Sequence, residues 1–156
     1  MAMTIIIGDP GSGKTALMSY FQDLECSNGY ENYIKCRKEI KRLKAGGFNY
    51  LVEPPQKHVC FADYVFKMAR WCQSYFIDGF KIGLQNPFFE TVVLPPYAAL
   101  FLDEAQKYFD SRMSMYIREE VYRWFQLHRH NHYKIFMTCQ RLGNIDINIR
   151  AIADKY

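Results

Sequence analysis

The feature that most constrains this sequence is a short apolar run that leads directly into a glycine-rich turn. The run, Thr4–Ile7, consists of β-formers, and the turn from Gly8 to Thr15 fits G-x-x-x-x-G-K-[ST] at every fixed position. Glycines let backbone N–H groups point inward around an anion, where a Cβ would block the approach. Apolar residues then recur at helical spacing, so a helix is expected from Lys14 to about Glu25, with its N-terminus at the same anion site. This order of elements predicts a site for nucleotide phosphates.

Each residue of the turn has an expected task. Lys14 is predicted to neutralise the β- and γ-phosphates of the nucleotide, and the Thr15 hydroxyl to bind Mg²⁺. The alternative is a plain Gly/Pro/Ser turn, but the β-branched run before it and the amphipathic helix after it argue against that. The predicted nucleotide-binding residues are Gly8, Asp9, Pro10, Gly11, Ser12, Gly13, Lys14, Thr15 and Ala16.

Length and composition restrict the class of protein. The 156 residues, 49% of them hydrophobic, suffice for one domain with a buried core over 1–156, in which 78–96 can be an insertion. The apolar start is too short for a secretion signal, and no window approaches the roughly 18–20 apolar residues of a membrane helix. The cysteines are odd in number and never form C-x-x-C, which fits reduced thiols in the cytoplasm and argues against disulfides or a zinc site. They are Cys26, Cys36, Cys60, Cys72 and Cys139.

A second helix is expected from Tyr30 to Ala45, and one of its faces is strongly basic. A solvated surface is the ordinary interpretation of such a face, and contact with a nucleic-acid backbone or an anionic membrane is the alternative. The net charge of +4 suits an anionic partner without requiring one. The basic residues are Lys35, Arg37, Lys38, Lys41, Arg42 and Lys44.

The following stretch gives weaker signals. His58–Ala62 is predicted to be a short strand, and Asp63 to cap a helix from Tyr64 to about Phe76. Two further segments, Phe80–Leu84 and Thr91–Leu94, are consistent with the strands of a hairpin.

A continuous apolar run, Tyr97–Leu102, ends on the acids Asp103 and Glu104. Such a run is typical of a strand buried on both faces of a parallel sheet, and ligands bind at the carboxyl ends of such strands. Asp103 is predicted to hold Mg²⁺ alongside Thr15, and Glu104 to orient or deprotonate the attacking water. The alternative is that both acids only cap the strand or the next helix.

The last part of the chain completes the predicted fold. A helix is expected from Met115 to His128, a strand from Lys134 to Gln140 and a short helix from Asp146 to Ala153. The strand from Lys134 fits between two others: the strand before the glycine-rich turn (the P-loop, Gly8 to Thr15) and the strand that ends at Asp103. In that position Gln140, with Thr138 nearby, would sense the γ-phosphate. The fold class is therefore α/β: an additional-strand (ASCE), RecA/HerA-like P-loop NTPase with a parallel sheet flanked by helices on both faces.

Several short segments, taken in order, resemble the zonular occludens toxin (Zot) family, which includes the gene I-type assembly ATPases of filamentous phages. The resemblance covers residues 3–18 and about 98–150, and the family is related to the FtsK/HerA type of DNA-pumping ATPases. The segments are Asp103-Glu104-Ala105-Gln106, Leu127-His128-Arg129-His130, Thr138-Cys139-Gln140 and Ile145-Asp146 with Ile149-Arg150.

The resemblance implies a domain in the cytoplasm of a bacterial host that couples Mg²⁺-dependent ATP hydrolysis to extrusion of phage DNA. Implied partners are single-stranded phage DNA, coat or assembly proteins and further copies of the chain. Many members continue into a transmembrane helix and a periplasmic tail, so attachment to the inner membrane is expected only through a segment outside this sequence. The toxin activity in the family name belongs to the tail of one member and is not implied here.

Alternatives remain at two levels. Arg150 lies at a family position and is a candidate for an arginine that reaches a neighbouring subunit's γ-phosphate, although a surface salt bridge is equally expected. Its rivals are Arg112, Arg129 and Arg141. The alternating histidines of 128–132 straddle a helix end, which favours a structural role over metal binding. For the whole chain, the alternatives to an ATPase are a nucleotide or small-molecule kinase and a nucleotide-dependent binding module that does not hydrolyse.

Overall fold

The structure is a computed structural model that describes residues 3–47, 55–64, 70–77 and 94–154. The strands of this part form one five-stranded sheet in which every pair is parallel. The strands are β1 (Met3–Ile7), β2 (His58–Ala62), β3 (Cys72–Phe76), β4 (Ala99–Leu102) and β5 (Lys134–Cys139). Their order across the sheet is β1-β5-β4-β2-β3.

Four α-helices and three short 3-10 segments accompany the sheet in the described ranges. The helices are α1 (Lys14–Ser27), α2 (Gly29–Ala45), α3 (Glu119–Leu127) and α4 (Ile147–Ile152). The 3-10 segments are Ala105–Lys107, Ser111–Tyr116 and Leu142–Asn144. Within the part of the chain that the structure describes, no helix has both the length and the apolar character needed to cross a membrane.

The position of β5 decides where the functional loops meet. It pairs with β1 on one side, where Ile7 lies opposite Cys139, and with β4 on the other, where Leu102 lies opposite Met137. Because all strands are parallel, the glycine-rich loop and the acidic pair both follow strand ends at the same edge, here called the carboxyl edge. The additional strand predicted between the P-loop strand and the acidic strand is confirmed.

Alternating side chains of the strands supply two core layers, one on each face of the sheet. The layer under α1 and α2 contains Ile6, Met18, Cys26, Cys60, Ala62, Cys72, Ala99, Phe101 and Phe136. The larger layer, against α3 and α4, includes Met3, Ile5, Leu100, Leu102, Val121, Phe125, Ile135, Met137 and Ile149. All four residues of β4 are buried, as expected for a strand covered on both faces. The prediction of helices on both faces of the sheet is confirmed.

One secondary-structure prediction is wrong and one needs adjustment. The helix expected from Tyr64 to Phe76 does not extend to its predicted end, because Cys72–Phe76 is a strand that pairs with β2. Pairing with β2 outweighs the helical spacing of the apolar residues. In this pairing Tyr75 stacks on Phe61, with ring centroids 5.2 Å apart. Residues 65–69 of that helix, and the hairpin predicted over 80–94 apart from Leu94, lie outside the described residues.

The helix predicted from Met115 starts later than expected, at Glu119. Arg118 is extended, and two glutamates occupy the first turn, where the positive end of the helix dipole favours them. The residues before it form a separate 3-10 segment that Asp110 caps through its side chain. The remaining predicted helices and strands agree with the structure to within about two residues at each end.

A buried polar cluster joins α1, α2, β2 and β5 at the amino edge of the sheet. The Glu25 carboxylate, 5% exposed, accepts from Lys134 Nζ at 2.7 Å and from Asn32 Nδ2 at 3.1 Å. His58 Nε2 lies 3.7 Å from Glu25 Oε2. Burial, reinforced by the charge of Lys134, lowers the pKa of His58 to about 4, so the imidazole is neutral at physiological pH.

This histidine makes stability depend on pH. Between its ordinary pKa of 6.5 and about 4, the unfolded chain binds a proton at His58 that the folded chain does not, so the free energy of unfolding falls as pH decreases. We expect His58→Gln to reduce that loss by up to about 3 kcal/mol. Urea unfolding at a series of pH values measures it. His130→Gln, at an exposed position, is the matched control, and equal slopes for the wild type and His58→Gln would contradict the assignment.

Candidate active site

The glycine-rich loop has the backbone conformation that its sequence predicts. Gly11 and Gly13 have φ angles of 80° and 83°, in the left-handed region that side chains with a Cβ rarely adopt. A Cβ on Gly8 would collide with the Ser12 hydroxyl. Gly13 precedes the first turn of α1, so the free N–H groups of the helix start face the loop. The loop is therefore shaped for an anion, and each fixed glycine has a steric reason.

The Lys14 side chain folds over this loop. Its ammonium donates to the carbonyl oxygens of Gly8 at 2.6 Å and Asp9 at 2.8 Å. Most of the loop is exposed, whereas Lys14 is half-buried. A positive charge is thus held beside the N-terminus of α1, and both act on the same space.

One hydroxyl connects the acidic pair to β5. Thr138 Oγ1 donates to Asp103 Oδ1 at 2.6 Å and accepts from the backbone N–H of Glu104 at 2.8 Å. Thr138 is fully buried, and its two partners in the acidic pair are half-buried. The arrangement fixes the Asp103 carboxylate and the Glu104 backbone relative to the strand next to the P-loop.

Asp63 is a member of the site that the sequence prediction missed. Its carboxylate accepts from the backbone N–H of Asp103 at 2.9 Å and from the Tyr108 hydroxyl at 2.8 Å. Burial raises the pKa of Asp63 above its ordinary value, and these hydrogen bonds partly offset that rise. The available signal was its position: Asp63 directly follows β2 in a parallel sheet, as Asp103 follows β4. An Asp before an apolar run is equally typical of a helix N-cap, which is the role predicted for it.

Glu104 is held in an unusual backbone conformation. Its φ of 52° lies in the left-handed region, which costs a non-glycine residue about 1–3 kcal/mol. Its carboxylate, 39% exposed, contacts Lys107 Nζ at 2.7 Å. This contact raises the pKa of Lys107. The strained backbone turns Glu104 away from the line of β4, so the two neighbouring acids point in different directions.

Gln140 lies close to the P-loop, as predicted. The preceding residue, Cys139, accepts a hydrogen bond from the backbone N–H of Gly8 at 3.2 Å. Gln140 itself is half-exposed at the end of β5. The structure thus brings Gln140 to the carboxyl edge together with Lys14, Asp103 and Glu104.

The arginine candidates lie in different places. Arg150 is half-buried on α4, and shortly after that helix Asp154 accepts from the backbone N–H of Met3, at the amino end of β1. Arg150 thus lies on the helix that leads to the amino end of β1, whereas the P-loop follows the carboxyl end of that strand. Arg112 is paired with Asp110 at 2.7 Å, and Arg129 is paired with Asp154. Arg141 directly follows the end of β5 and is exposed.

Two of the three alternating histidines have structural surroundings, in agreement with their interpretation from sequence. His128 is fully buried and its ring bonds the Phe125 carbonyl. The ring of His132 stacks on Tyr97 with centroids 4.6 Å apart.

The oxygen donors at the carboxyl edge are of the type that hard divalent cations bind. Asp103 uses Oδ1 for Thr138, and its Oδ2 makes no hydrogen bond with the described residues. The Thr15 hydroxyl stands in the first turn of α1 on an exposed side chain. A carboxylate oxygen and a hydroxyl next to a phosphate site are the ligands that Mg²⁺ takes in nucleotide-binding proteins.

Comparison with known proteins gives one family and one fold. The family described as Zonular occludens toxin (Zot) matches residues 67–156. The crystal structure of the N-terminal domain of zonular occludens toxin from Neisseria meningitidis has a TM-score of 0.59 and 20% identity, covering 100% of this chain and 76% of that chain. The sequence matches none of the curated proteins with which it was compared.

Structures of a viral NTPase have the same fold. The genome packaging NTPase B204 from Sulfolobus turreted icosahedral virus 2, in complex with ATP-gammaS, has a TM-score of 0.55 and 14% identity, covering 98% of this chain and 72% of that chain. Its complex with AMPPCP has a TM-score of 0.54 at the same identity of 14% and the same coverage. At these identities the likeness establishes the fold, which is that of the P-loop NTPases.

The shared hydroxyl of Thr138 can be tested by stability. Thr138→Val keeps the shape but leaves the Glu104 N–H without its acceptor and Asp103 without its donor, so we expect a loss of about 1–3 kcal/mol in the free energy of unfolding. Thr138→Ser keeps the hydroxyl and is the control, with a smaller loss. Urea unfolding of the three proteins provides the comparison. Equal stability of Thr138→Val and the wild type would show that the two hydrogen bonds contribute nothing.

Proposed function

The chain belongs to the zonular occludens toxin (Zot) family, and from this premise we propose that it hydrolyses ATP in a Mg²⁺-dependent reaction. The reaction would power the movement of phage or mobile-element DNA during virion assembly. The observation that carries the proposal is the position of β5 between β1 and β4. That order sets a phosphate-binding loop and an acidic pair side by side, with Thr138 bonded to Asp103.

ATP would lie with its β- and γ-phosphates in the loop from Gly8 to Thr15. Backbone N–H groups of the loop and of the first turn of α1 bind phosphate oxygens, and Lys14 neutralises the charge that develops on the transferred group. Before it can do so, the Lys14 ammonium exchanges at least one of its present carbonyl partners, Gly8 and Asp9, for phosphate oxygens.

Thr15 and Asp103 would hold Mg²⁺, which supplies electrostatic stabilisation of the phosphates. Asp63 and Tyr108 do not reach the nucleotide in this proposal. Asp63 positions Asp103 by accepting a hydrogen bond from its backbone N–H. Tyr108 in turn holds the Asp63 carboxylate through its hydroxyl.

Glu104 would orient the attacking water and accept its proton. The residue has an exposed carboxylate on a turned backbone at the carboxyl edge. In the structure this carboxylate contacts Lys107 Nζ at 2.7 Å. Gln140, next to the P-loop, would sense the γ-phosphate. Arg150 or Arg141 would stabilise the γ-phosphate bound at the P-loop of a neighbouring subunit in a homo-oligomer.

The basic face of α2 supports a polyanionic partner such as single-stranded phage DNA. A groove of about 360 Å³ on this face is lined by Arg37, Lys38, Ile40, Lys41 and Lys44. Lys35 and Arg42 are paired with acids on the same helix, whereas the four cations of the groove surround an apolar floor. DNA, coat or assembly proteins and the cytoplasmic face of the inner membrane are the proposed surroundings of the domain.

Lys14→Ala tests whether the loop is the site of turnover. We expect ATP hydrolysis to fall about 100-fold or more, because a preorganised charge on the transferred phosphate is lost. The measurement is phosphate release, with and without single-stranded DNA and anionic vesicles. Lys57→Ala, an exposed lysine in the turn before β2, is the matched control. Unchanged turnover of Lys14→Ala would overturn the proposal.

Glu104→Gln separates binding from chemistry. We expect nucleotide binding to persist while turnover falls about 100- to 10,000-fold, because only the proton acceptor is removed. Fluorescent-nucleotide titration and phosphate release measure the two properties, and Glu120→Gln on the surface of α3 is the control. Loss of binding would mean that Glu104 is structural. Wild-type protein that binds ATP without turnover would instead indicate a binding module, and turnover only with a phosphate acceptor would indicate a kinase.

A further inference from the structure

Three of the five cysteines, far apart in the sequence, meet in the core. Cys26 belongs to the last turn of α1, Cys60 lies in the middle of β2 and Cys72 begins β3. Their sulfur atoms all lie within 4.8 Å of one another. No other group of three or more Cys, His, Asp or Glu side chains in the described ranges has ligand atoms placed to hold one metal ion.

Strand pairing explains why the thiols converge. In the parallel register, His58 lies opposite Cys72 and Cys60 lies opposite Ser74, so His58, Cys60 and Cys72 share the face of the sheet that α1 and α2 cover. Cys26 reaches the same point from α1. In the sequence the three cysteines are too far apart to form a local metal motif such as C-x-x-C. For that reason the sequence argued against a zinc site.

The surroundings of the cluster are dry and tightly closed. Cys26, Cys60 and Cys72 are 7%, 0% and 4% exposed. The junction of α1 and α2 lies directly on the third thiol, since a Cβ on Gly29 would come within 2.8 Å of Cys72 Sγ. All five cysteines of the chain are buried and none forms a disulfide bond, but only these three form a cluster among the described residues.

We propose that Cys26, Cys60 and Cys72 together bind one thiophilic d¹⁰ cation, Zn²⁺ or Cu⁺. Thiolates are the ligands that these ions prefer, and a buried site excludes competing water. On binding, three S–H protons pass to solvent and three sulfur–metal bonds form, while the oxidation state of the ion does not change. The proposal concerns a site in the core on the α1 and α2 face and does not depend on ATP hydrolysis.

The nearby histidine distinguishes the two ions. His58 is 2% exposed, and its Nε2 has no hydrogen-bond partner among the described residues. It faces the same side of the sheet as Cys60 and Cys72, but its ring nitrogens lie outside the group of ligand atoms within 4.8 Å of one another, so it could supply a fourth ligand only after a side-chain movement. Zn²⁺ prefers four ligands, including the Cys₃His set, whereas three thiolates suffice for Cu⁺. A requirement for His58 therefore indicates Zn²⁺.

The direct experiment is metal titration of the whole chain, purified metal-free under a reductant that does not bind metals. Co²⁺ serves as the spectroscopic probe for Zn²⁺, and Cu⁺ is added anaerobically against a chromophoric chelator. We expect one equivalent per chain, with a thiolate-to-cobalt charge-transfer band if the site takes Zn²⁺. Cys60→Ser should weaken binding by at least the roughly 10- to 100-fold caused by loss of a supporting residue. Cys36→Ser, also buried but outside the cluster, is the matched control.

Thiol labelling of the wild type keeps the proposal testable if the serine variants do not fold. Alkylation in mild denaturant, read by mass spectrometry, should be slowed by the metal at Cys26, Cys60 and Cys72 but not at Cys36 and Cys139. Three outcomes would overturn the proposal: no stoichiometric binding, binding unchanged in Cys60→Ser, or equal protection of all five thiols. The cluster would then be apolar packing of small side chains.

Discussion

The pairing of β5 with both β1 and β4 is the constraint on which the rest of the structure depends. It holds the P-loop and the acidic pair one strand apart, at the edge where all the strands end. Thr138 then lies between them and hydrogen-bonds to both Asp103 and Glu104. If β5 were absent from that position, the acids would follow the strand next to the P-loop and this bond could not form. A backbone pattern, rather than any single side chain, thus determines the spacing of the site.

Polar groups at the two edges of the sheet differ in burial and in hydrogen bonding. At the carboxyl edge, acids that follow β2 and β4 are partly exposed and accept hydrogen bonds from backbone and hydroxyl groups. At the amino edge, Glu25 is buried and satisfied by Lys134 and Asn32, which ties α1 and α2 to the sheet. Removing one partner of such a pair leaves a charge buried alone, which is far more costly than losing a surface pair. Reactivity is concentrated at one edge and structural rigidity at the other.

Much of this arrangement can be predicted from the sequence, because local signals and tertiary structure agree. The β-branched run, the glycines of the loop and the apolar strand before Asp103 each specify one local conformation, and the parallel sheet then brings Gln140 to the same edge. Predictions fail where partners come from distant segments. Asp63 gives the same local signal as a helix cap, and β3 is a strand only because β2 pairs with it. The thiols of Cys26, Cys60 and Cys72 converge through contacts that no spacing in the sequence encodes.

The hydroxyl of Thr138 has a consequence for the order of events in a catalytic cycle. One atom fixes both the metal-binding acid and the backbone of the water-activating acid, and it belongs to the strand that ends beside the P-loop. In the proposed reaction, departure of the γ-phosphate would first remove a contact of Gln140, at the end of that strand. A small shift of β5 would then loosen both acids in a single step. Product release and disassembly of the catalytic geometry would then be coupled in one step.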